Sequence, residues 1–272
     1  MCLIAIAWQS HPRYALVLAG NRDEFLARPT EALHWWSDDR GGEPSILAGR
    51  DLQAGGSWLG IARSGRLAAV TNFREPAVAR DPHALSRGAL VTDVLLAPQP
   101  VGRCLSELAA SHARYSGFNL LAASGLGSSK PELWFDSNRG GAPARALAPG
   151  VYGLSNGQLD EDWPKVRRAR SSLRALLAEP RADDAAELTE LLLALLSDAT
   201  PAPEASLPHT GVSLDVERQL SPLFIRMTGY GTRASSVVTV THEGALRFTE
   251  RSLDRSGVAQ TRSYEATIGP LA

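Results

Sequence analysis

The first 24 residues constrain the fold more than any other part of this chain. Two apolar runs of strand length, residues 3–8 and 14–20, are separated by the short polar segment 9–13, which contains a proline. Apolar runs of this length on either side of a short polar segment are typical of a β-hairpin. The chain therefore begins with two strands that we expect to lie side by side.

The pairing within this hairpin decides what lies beside the N-terminal cysteine. If Trp8 pairs with Tyr14, Cys2 lies opposite Gly20 and close to the polar residues 21–23. A one-residue slip would exchange which of these side chains share the face of Cys2, because strand side chains alternate between faces.

Cys2 directly follows the initiator methionine. Methionine aminopeptidases accept such a small second residue, so we expect a mature chain that begins at Cys2. An α-amine has a usual pKa of about 7.7 to 8.0, so thiol nucleophile and general base would share one residue. The alternative is that Cys2 is a small apolar residue at a strand start, as free cysteines usually are. The polar cluster across the hairpin favours the first interpretation.

The overall composition excludes several functions. With 272 residues and 44% hydrophobic content, the chain can bury a sizeable core, and we interpret residues 1–272 as a single domain. A net charge of −1 provides no basic field for nucleic acid. We see no apolar run of about eighteen residues and no signal-peptide pattern, which predicts a cytoplasmic protein without stable membrane insertion.

The cysteines and histidines do not indicate a metal site or a resident cofactor. The chain has two cysteines, Cys2 and Cys104, and six scattered histidines without metal-ligand spacing. Cys104 lies in a predicted helix, where we expect it to be buried. Such sparing cysteine usage is typical of a reducing compartment.

Groups of strands alternate with pairs of helices along the chain. The predicted elements are a hairpin at 57–62 and 67–73, two helices within 86–112, strands at 118–122 and 133–135, helices at 163–177 and 183–197, and a hairpin at 235–242 and 245–252. This order favours antiparallel sheets covered by helices over alternating βαβ units. We therefore predict an α+β fold, a four-layer αββα sandwich of two antiparallel sheets flanked by helix pairs.

Residues 26–55 interrupt this pattern. They are rich in Pro, Gly, Asp and Trp and follow no steady period, so we interpret them as a long functional loop or lid. Within this segment, Trp35 and Trp36 either form the wall of an apolar pocket or anchor the loop on the body, and we favour the anchor.

Several motifs together resemble one family. The chain resembles the NRDE proteins, the transport and Golgi organisation protein 2 family, which are named for the tetrapeptide at residues 21–24 here. The segments that carry the resemblance span most of the chain: Met1-Cys2-Leu3-Ile4, Gly20-Asn21-Arg22-Asp23-Glu24-Phe25, Gly56-Ser57-Trp58-Leu59-Gly60, Val70-Thr71-Asn72-Phe73-Arg74, Tyr152-Gly153-Leu154-Ser155-Asn156, Trp163-Pro164-Lys165-Val166 and Tyr230-Gly231-Thr232-Arg233.

This resemblance implies the N-terminal nucleophile hydrolase superfamily, in the branch of penicillin V acylase and bile salt hydrolase. It also implies the αββα fold. In that branch the terminal cysteine attacks an amide carbonyl and its own amine relays the proton. Carried over to this chain, Cys2 is the nucleophile, Asp23 holds the α-amine, and Arg22 lowers the pKa of the thiol. The branch usually spaces its arginine and aspartate three residues apart. They are adjacent here, and the resemblance supports Asp23 more than Arg22.

Three further residues are matched by the same resemblance. Asn72 corresponds to an asparagine that donates to the developing oxyanion, and Asn156 to a second asparagine near the nucleophile. Arg233 resembles a later active-site arginine. Taken from the sequence alone, the asparagines could equally cap a strand end or a turn, and Arg233 could form a surface salt bridge.

Two functions follow as hypotheses. The first is an amidohydrolase that cleaves a linear C–N bond of a small acyl-amide substrate. The second is a non-catalytic binding or trafficking protein of the same fold for haem or a lipid-like acyl conjugate, because eukaryotic family members are associated with haem trafficking and acyl-CoA homeostasis. Haem would then be a weakly held ligand. The sequence leaves the oligomeric state and the identity of the substrate open.

Overall fold

The strands and helices follow the predicted alternation. The computed structural model describes residues 2–37, 43, 45–79, 81–253 and 259–269. Its strands are β1 Cys2–Trp8, β2 Tyr14–Phe25, β3 Thr30–Trp36, β4 Ile46–Asp51, β5 Leu59–Ala62, β6 Leu67–Asn72, β7 Phe118–Ser124, β8 Glu132–Ser137, β9 Arg145–Ala146, β10 Gly150–Leu154, β11 Arg226–Met227, β12 Tyr230–Thr241, β13 Ala245–Leu253 and β14 Ala259–Thr267. Its α-helices are α1 Arg87–Leu96, α2 Val101–Ala109, α3 Pro164–Leu177, α4 Ala185–Leu196 and α5 Leu214–Gln219.

Two antiparallel sheets form the centre of the molecule. Within the described ranges, the first has the strand order β10-β1-β2-β12-β13-β14 with β11 beside β12, and the second runs from β3 to β9 in chain order. An apolar core lies between the sheets, α3 and α4 cover the outer face of the first, and α1 and α2 cover the outer face of the second. This arrangement confirms the predicted four-layer αββα sandwich.

Both faces of β1 are buried, which explains its unbroken apolar sequence. Its even-numbered residues, from Cys2 to Trp8, pack in the core between the sheets. Its odd-numbered residues, Leu3, Ala5 and Ala7, pack beneath the helices α3 and α4. A short continuous apolar run is what a strand covered on both sides requires.

The helices that cover β1 begin where their sequences predict. Pro164 occupies the first turn of α3, where its fixed φ suits a helix and its missing N–H is not needed. Asp184 caps α4, since its carboxylate accepts hydrogen bonds from the backbone N–H groups of Ala186 and Glu187, both at 2.8 Å.

The predicted hairpin register is wrong by two residues. Trp8 pairs with Leu16 rather than Tyr14, and Cys2 therefore lies opposite Arg22 rather than Gly20. The connection is wider than expected because Gln9 has a positive φ of 43° and donates to the Ala15 carbonyl at 2.9 Å. A shift of two residues preserves the faces, so Cys2 shares its face with Arg22.

The interpretation of residues 26–55 as a long loop is wrong. The segment contains the paired strands β3 and β4, and a register shift between Glu31 and His34 disrupts the alternation that would have revealed β3. Residues 38–42 and 44 of this segment lie outside the described residues, as does Met1. Trp36 is buried and donates from Nε1 to the Ala48 carbonyl at 3.1 Å, as the anchor interpretation predicts.

Candidate active site

Cys2 begins β1 at the edge of the core between the sheets. It lies opposite Arg22 of β2, and 6% of its surface is exposed. Its backbone carbonyl accepts a hydrogen bond from the Ser155 hydroxyl at 3.0 Å. β1 is thereby held on one side by β2 and on the other by the segment that follows β10.

The surroundings of Cys2 act in opposite directions on the pKa of its thiol. Burial raises the pKa of the thiol, because a thiolate loses solvation in a buried site. The Asp23 carboxylate also raises this pKa, while the Arg22 guanidinium and the backbone N–H of Asp23 lower it. The Arg22 guanidinium therefore acts on the pKa of the thiol in the direction opposite to burial.

Asp23 lies on the opposite face of β2, beneath the helices. Its Oδ1 accepts a hydrogen bond from Thr232 Oγ1 at 2.7 Å, and Thr232 Oγ1 accepts in turn from the Ile225 backbone N–H at 2.9 Å. Burial raises the pKa of the Asp23 carboxyl, whereas Lys165 and the hydrogen bond from Thr232 act to lower it. The side chain is 1% exposed.

Arg22 lines a cavity of about 360 Å³ between the two sheets. Its guanidinium lies 3.6 Å from the Glu24 carboxylate and 3.8 Å from the Asp51 carboxylate. Trp58 and Glu250 also line this cavity. Arg22 lines this cavity and lies opposite Cys2 in the strand pair, whereas Cys2 is not among the described residues that line it.

Asn72 and Asn156 lie together at the ends of β6 and β10. Asn156 is buried, and its Nδ2 donates to the Asn72 backbone carbonyl at 2.9 Å. Asn156 Oδ1 accepts from the Ser155 hydroxyl at 3.3 Å, the same hydroxyl that bonds the carbonyl of Cys2. Asn156 is thus linked to the Cys2 carbonyl through one intervening residue, Ser155, and Asn72 joins this chain of hydrogen bonds through its backbone carbonyl. The Asn72 side chain is partly exposed.

Arg233 holds the wall of the cavity. Its Nη1 donates to the backbone carbonyls of Phe25, Leu26 and Arg28, at 3.3, 2.7 and 3.2 Å. These bonds fix the turn between β2 and β3. Arg233 lies at a bulge in β12, where the register shifts between Thr232 and Ala234, and this bulge directs it toward the turn.

Asn21, the first residue of the tetrapeptide, connects three elements. Its Nδ2 donates to the backbone carbonyl of Leu196 at 2.9 Å and to that of Leu223 at 2.7 Å. Its Oδ1 accepts from the Ser235 hydroxyl at 2.7 Å. With all of these contacts buried, Asn21 stabilises the layer of helices and loops above Asp23.

Sequence reasoning did not assign a role to four residues that gather beside Asp23. They are Arg74, Lys165, Glu217 and Tyr230. The charge of Asp23 acts to raise the pKa of Arg74, Lys165 and Tyr230, and Glu217 acts in the same direction on Arg74 and Lys165. Arg74 Nη1 lies 2.9 Å from Glu217 Oε2, and the Arg74 guanidinium lies 4.7 Å from the centre of the Trp163 ring.

Tyr230 completes this group from β12. Its hydroxyl donates to the Asp23 backbone carbonyl at 3.3 Å. Burial, followed by the charge of Asp23, raises the pKa of Tyr230, which keeps the phenol protonated. Arg74, Lys165 and Tyr230 fall within motifs that carry the family resemblance, so motif membership was the one signal that could have found them.

No metal site is found in the part of the chain that the structure describes. There, no three side chains from His, Cys, Asp and Glu come together as a metal-binding group. Among the same residues, no helix has both the length and the apolar character that crossing a bilayer requires.

The fold is a four-layer αββα sandwich of two antiparallel sheets, and Cys2 begins a strand inside it. A family model described as Transport and Golgi organisation 2 matches residues 1–255, and the chain belongs to this family.

Relatives of similar length occur in animals. The Homo sapiens Transport and Golgi organization protein 2 homolog is 33% identical over 285 residues, and the match covers 98% of this chain and 99% of that protein. The Drosophila melanogaster Transport and Golgi organization protein 2 is 27% identical over 268 residues, covering 93% of this chain and 92% of that protein.

Two solved structures are more distantly similar. The Caenorhabditis elegans N-acylethanolamine-hydrolyzing acid amidase ortholog has 12% identity and a TM-score of 0.40, with 89% of this chain and 93% of that chain covered. A mutant conjugated bile acid hydrolase from Clostridium perfringens has 10% identity and a TM-score of 0.38, with 98% and 97% covered.

Proposed function

We propose that this chain is an N-terminal cysteine amidohydrolase that cleaves the linear C–N bond of a small acyl amide. One observation carries the proposal: the Cys2 thiol lies opposite Arg22 and beside the backbone N–H of Asp23, while the Asp23 carboxylate is buried behind the same strand. Removal of Met1 would place a free α-amine on Cys2, within reach of both the thiol and Asp23.

The reaction needs no group beyond these residues, the substrate and water. Cys2 Sγ attacks the amide carbonyl carbon, and the thiol proton passes to the α-amine. The C–N bond then breaks, the α-ammonium gives its proton to the departing amine, and a thioester remains on Cys2. Water attacks the thioester, its proton passes through the α-amine to the sulfur, and the carboxylic acid leaves.

The role proposed for Asp23 in this sequence is to hold the α-amine. An ionised carboxylate accepts an N–H bond and orients the nitrogen lone pair toward the thiol. Thr232 fixes Asp23 Oδ1, which limits the rotation of the carboxylate. The amide groups of Asn72 and Asn156 are the proposed donors to the oxyanion, and loss of one such donor typically lowers kcat about a hundred- to a thousandfold.

Reactivity of the two cysteines provides the first test. The intact mass of the untagged protein is measured before and after a short pulse of iodoacetamide, and the alkylated residue is mapped. Loss of Met1 together with selective labelling of Cys2 is the expected result. Cys104, which is half-buried and lies away from this site, is the internal reference. Retention of Met1, or labelling of Cys2 no faster than of Cys104, would contradict the proposal.

Turnover provides the second test. A panel of N-acyl amines is incubated with the parent, Cys2→Ser, Cys2→Ala and Cys104→Ala proteins, and the released amine is measured. We expect both Cys2 variants to lose hydrolysis and Cys104→Ala to retain it. The thiol chemistry also needs a reduced cysteine, which supports the cytoplasm as the compartment.

The burial of Cys2 favours a second candidate, a binding or trafficking protein that retains the fold. Since burial raises the pKa of the thiol, the nucleophilic thiolate is disfavoured. Titration with haem tests this candidate: a Soret shift at micromolar protein, unchanged in Cys2→Ala, would support binding without catalysis. The absence of any shift would count against a haem ligand.

A further inference from the structure

The cavity that Arg22 lines is rich in positive charge. Of the described residues around it, five are arginines and three carry carboxyl groups. The arginines are Arg22, Arg28, Arg50, Arg233 and Arg262, and the carboxyl groups belong to Glu31, Asp51 and Glu250. Among these residues the cations exceed the carboxylates by two, and they remain in excess when Glu24, which lies 3.6 Å from Arg22, is counted. Guanidinium groups stay protonated in proteins, so this excess is present at physiological pH.

The strand pairing places arginines at two ends of the cavity. Arg22 of β2 pairs with Ala234 of β12, which pairs with Ser252 of β13. The row continues to Gln260 of β14, and Arg262 lies two positions farther along that strand, on the same face. Neighbouring strands lie about 4.8 Å apart, so three strand spacings put the backbones of β2 and β14 about 14 Å apart. Arg22 and Arg262 thus extend from opposite ends of one lined space.

Small residues keep the middle of the cavity open. Ala234 and Ser252 line it from the first sheet, between the two cationic ends, and Gly49 of β4 lines it from the second sheet. A Cβ added to Gly49 would lie only 3.3 Å from Glu250 Oε2. Any larger side chain at position 49 would therefore occupy space beside the Glu250 carboxyl group.

Backbone carbonyls fix the guanidinium groups at both ends. Arg233 Nη1 donates to three carbonyls of the turn between β2 and β3, beside Arg22 in the cavity wall. At the other end, Arg262 Nη1 donates to the Leu33 carbonyl of β3 at 3.3 Å, so its side chain bridges the two sheets. A carbonyl positions a guanidinium without carrying the full negative charge of a carboxylate. These cations are therefore already oriented before an anion arrives.

We propose that this cavity is a binding site for a small dicarboxylate, with one carboxylate held at the end of Arg22 and Arg233 and the other at the end of Arg262. The planar guanidinium donates two parallel N–H groups to a carboxylate, which makes arginine suited to this role. The volume of about 360 Å³ lies within the range of small-molecule pockets. Trp58 and Leu253 line the same cavity and provide apolar contact for the carbon chain between the two carboxylates.

The dicarboxylate site is separate from the proposed hydrolysis. Cys2 is not among the described residues that line the cavity, so binding requires neither the thiol nor removal of Met1. A dicarboxylate is therefore expected to bind the Cys2→Ala protein as tightly as the parent.

Glu250 opposes an anionic ligand, which provides a test with a predicted sign. Its side chain is buried, and its Oε1 accepts from the Leu33 N–H at 2.9 Å. Across β13 and β14 it is the register partner of Arg262. Glu250→Gln keeps an acceptor for Leu33 and removes one negative charge from the cavity wall. This variant should bind a dicarboxylate more tightly than the parent does.

Binding is measured by NMR of the tryptophan indole N–H groups, with glutarate as the probe. The Trp58 signal is assigned by its loss in Trp58→Phe. Trp134, which packs against Gly102 of α2 on the outer face of the second sheet, is the internal reference. We expect glutarate to shift Trp58 saturably and to leave Trp134 unchanged, in both the parent and Cys2→Ala. Glutaramide, the neutral diamide of the same chain length, should shift neither signal. The absence of a saturable Trp58 shift with glutarate, or an equal shift with glutaramide, would overturn the inference.

Substitutions test the two cationic ends separately. Arg262→Gln and Arg22→Gln should each weaken glutarate binding about tenfold or more, since each removes a cation that faces a carboxylate. Glu250→Gln should strengthen it about fivefold at pH 8. Arg103→Gln, at an exposed position of α2, is the matched control and should bind like the parent. An unchanged Trp134 signal in each variant confirms that the fold is retained. Parent-like affinity in Arg262→Gln would overturn the inference.

Acetate tests whether the site recognises both carboxylates. It carries one carboxylate and can occupy only one end, so we expect it to bind at least about tenfold more weakly than glutarate. Equal affinities for acetate and glutarate would overturn a site with two ends. If glutarate binds as expected but the parent hydrolyses no amide, the dicarboxylate site stands and the amidohydrolase proposal fails. If amides are hydrolysed and glutarate does not bind, the reverse holds.

Discussion

The two faces of β2 near its C-terminal end differ in the surroundings of their charged side chains. On the face toward the second sheet, which we call the Arg22 side, the Arg22 guanidinium and its neighbour Arg28 share the Glu24 and Asp51 carboxylates in a cavity. On the face toward the helices, the Asp23 side, Asp23 and Lys165 are nearly inaccessible to water.

The difference indicates separate roles for adjacent residues. Alternation of side chains along a strand sends neighbours to opposite faces. Charges that are partly exposed and have several partners contribute little individually, because water screens them. Buried charges are screened less by water, so their protonation depends more strongly on the groups around them. We expect the Asp23 side to control the proton relay, and the Arg22 side to adjust the thiol and contact the substrate.

Replacing Asp23 tests this comparison most severely. Asp23→Asn preserves the shape of the side chain but removes the charge that orients the α-amine, and we expect kcat/KM for an acyl amide to fall about a hundred- to a thousandfold. Thr232→Val, which removes the hydrogen bond to Asp23 Oδ1, should cause a smaller decrease. An Asp23→Asn protein within threefold of the parent would show that the Asp23 side does not control catalysis.

Asn21 tests whether the Asp23 side also supports stability. Asn21→Ala leaves the carbonyls of Leu196 and Leu223 without their buried donor, and we expect the free energy of unfolding to fall by about 3 kcal/mol. Ser235→Ala removes one of the three hydrogen bonds of Asn21, and its effect should be about 1 kcal/mol. Denaturation in urea measures both, and equal losses would show that the two backbone bonds contribute nothing.

Arg22→Gln tests the other side. Because the Arg22 cation lowers the pKa of the Cys2 thiol, its removal should raise that pKa and slow alkylation of Cys2 about tenfold at pH 7. The rates should converge at alkaline pH, where the thiol is ionised in both proteins. Arg28→Gln, in the same cavity, is the control and should label like the parent. A tenfold difference that persists at every pH would indicate altered access instead.

Glu250 gives the smallest expected effect. Burial raises the pKa of this carboxyl, so the folded parent loses stability as pH rises from about 4.5 through the folded pKa. Glu250→Gln keeps an oxygen for the Leu33 N–H, which donates at 2.9 Å, and should be about 1 kcal/mol more stable at pH 7. Glu107→Gln, at an exposed position, is the control for thermal unfolding. Lower stability of Glu250→Gln at pH 7 would show that the ionised carboxylate is well compensated.

Much of the fold could be predicted because the sequence patterns that indicate its strands and helices are local. The apolar runs of β1 and β2, the helix start at Pro164 and the return of strands near residue 118 each follow from a short stretch of sequence. Strands with irregular or polar sequences were missed. β3 is interrupted by a register shift, and β14 is an exposed strand at the sheet edge, so neither carries a clear apolar alternation.

Likewise, some residues of the candidate site could be associated from local sequence, and others only from the packing of distant segments. Cys2 and Asp23 could be associated from the sequence because one hairpin joins them, although the exact partner of Cys2 depended on the width of the connection. Asn72 and Asn156 were matched through the family resemblance, and their contact through the Asn72 carbonyl needed the packing of one sheet on the other. Lys165 has no signal in the sequence beyond its place in a family motif.

The sequence by itself determined the alternation of strand groups with helix pairs, the hairpin that places Cys2 beside the tetrapeptide, and the opposite faces of Arg22 and Asp23. These depend on periods of two and 3.6 residues and on short connections, which act over a few neighbouring positions. Tertiary structure alone decided that Lys165 is buried in the layer above β1. That position requires α3 to pack across β1 and β10, and packing between distant segments follows from burial of the whole apolar core rather than from any local pattern.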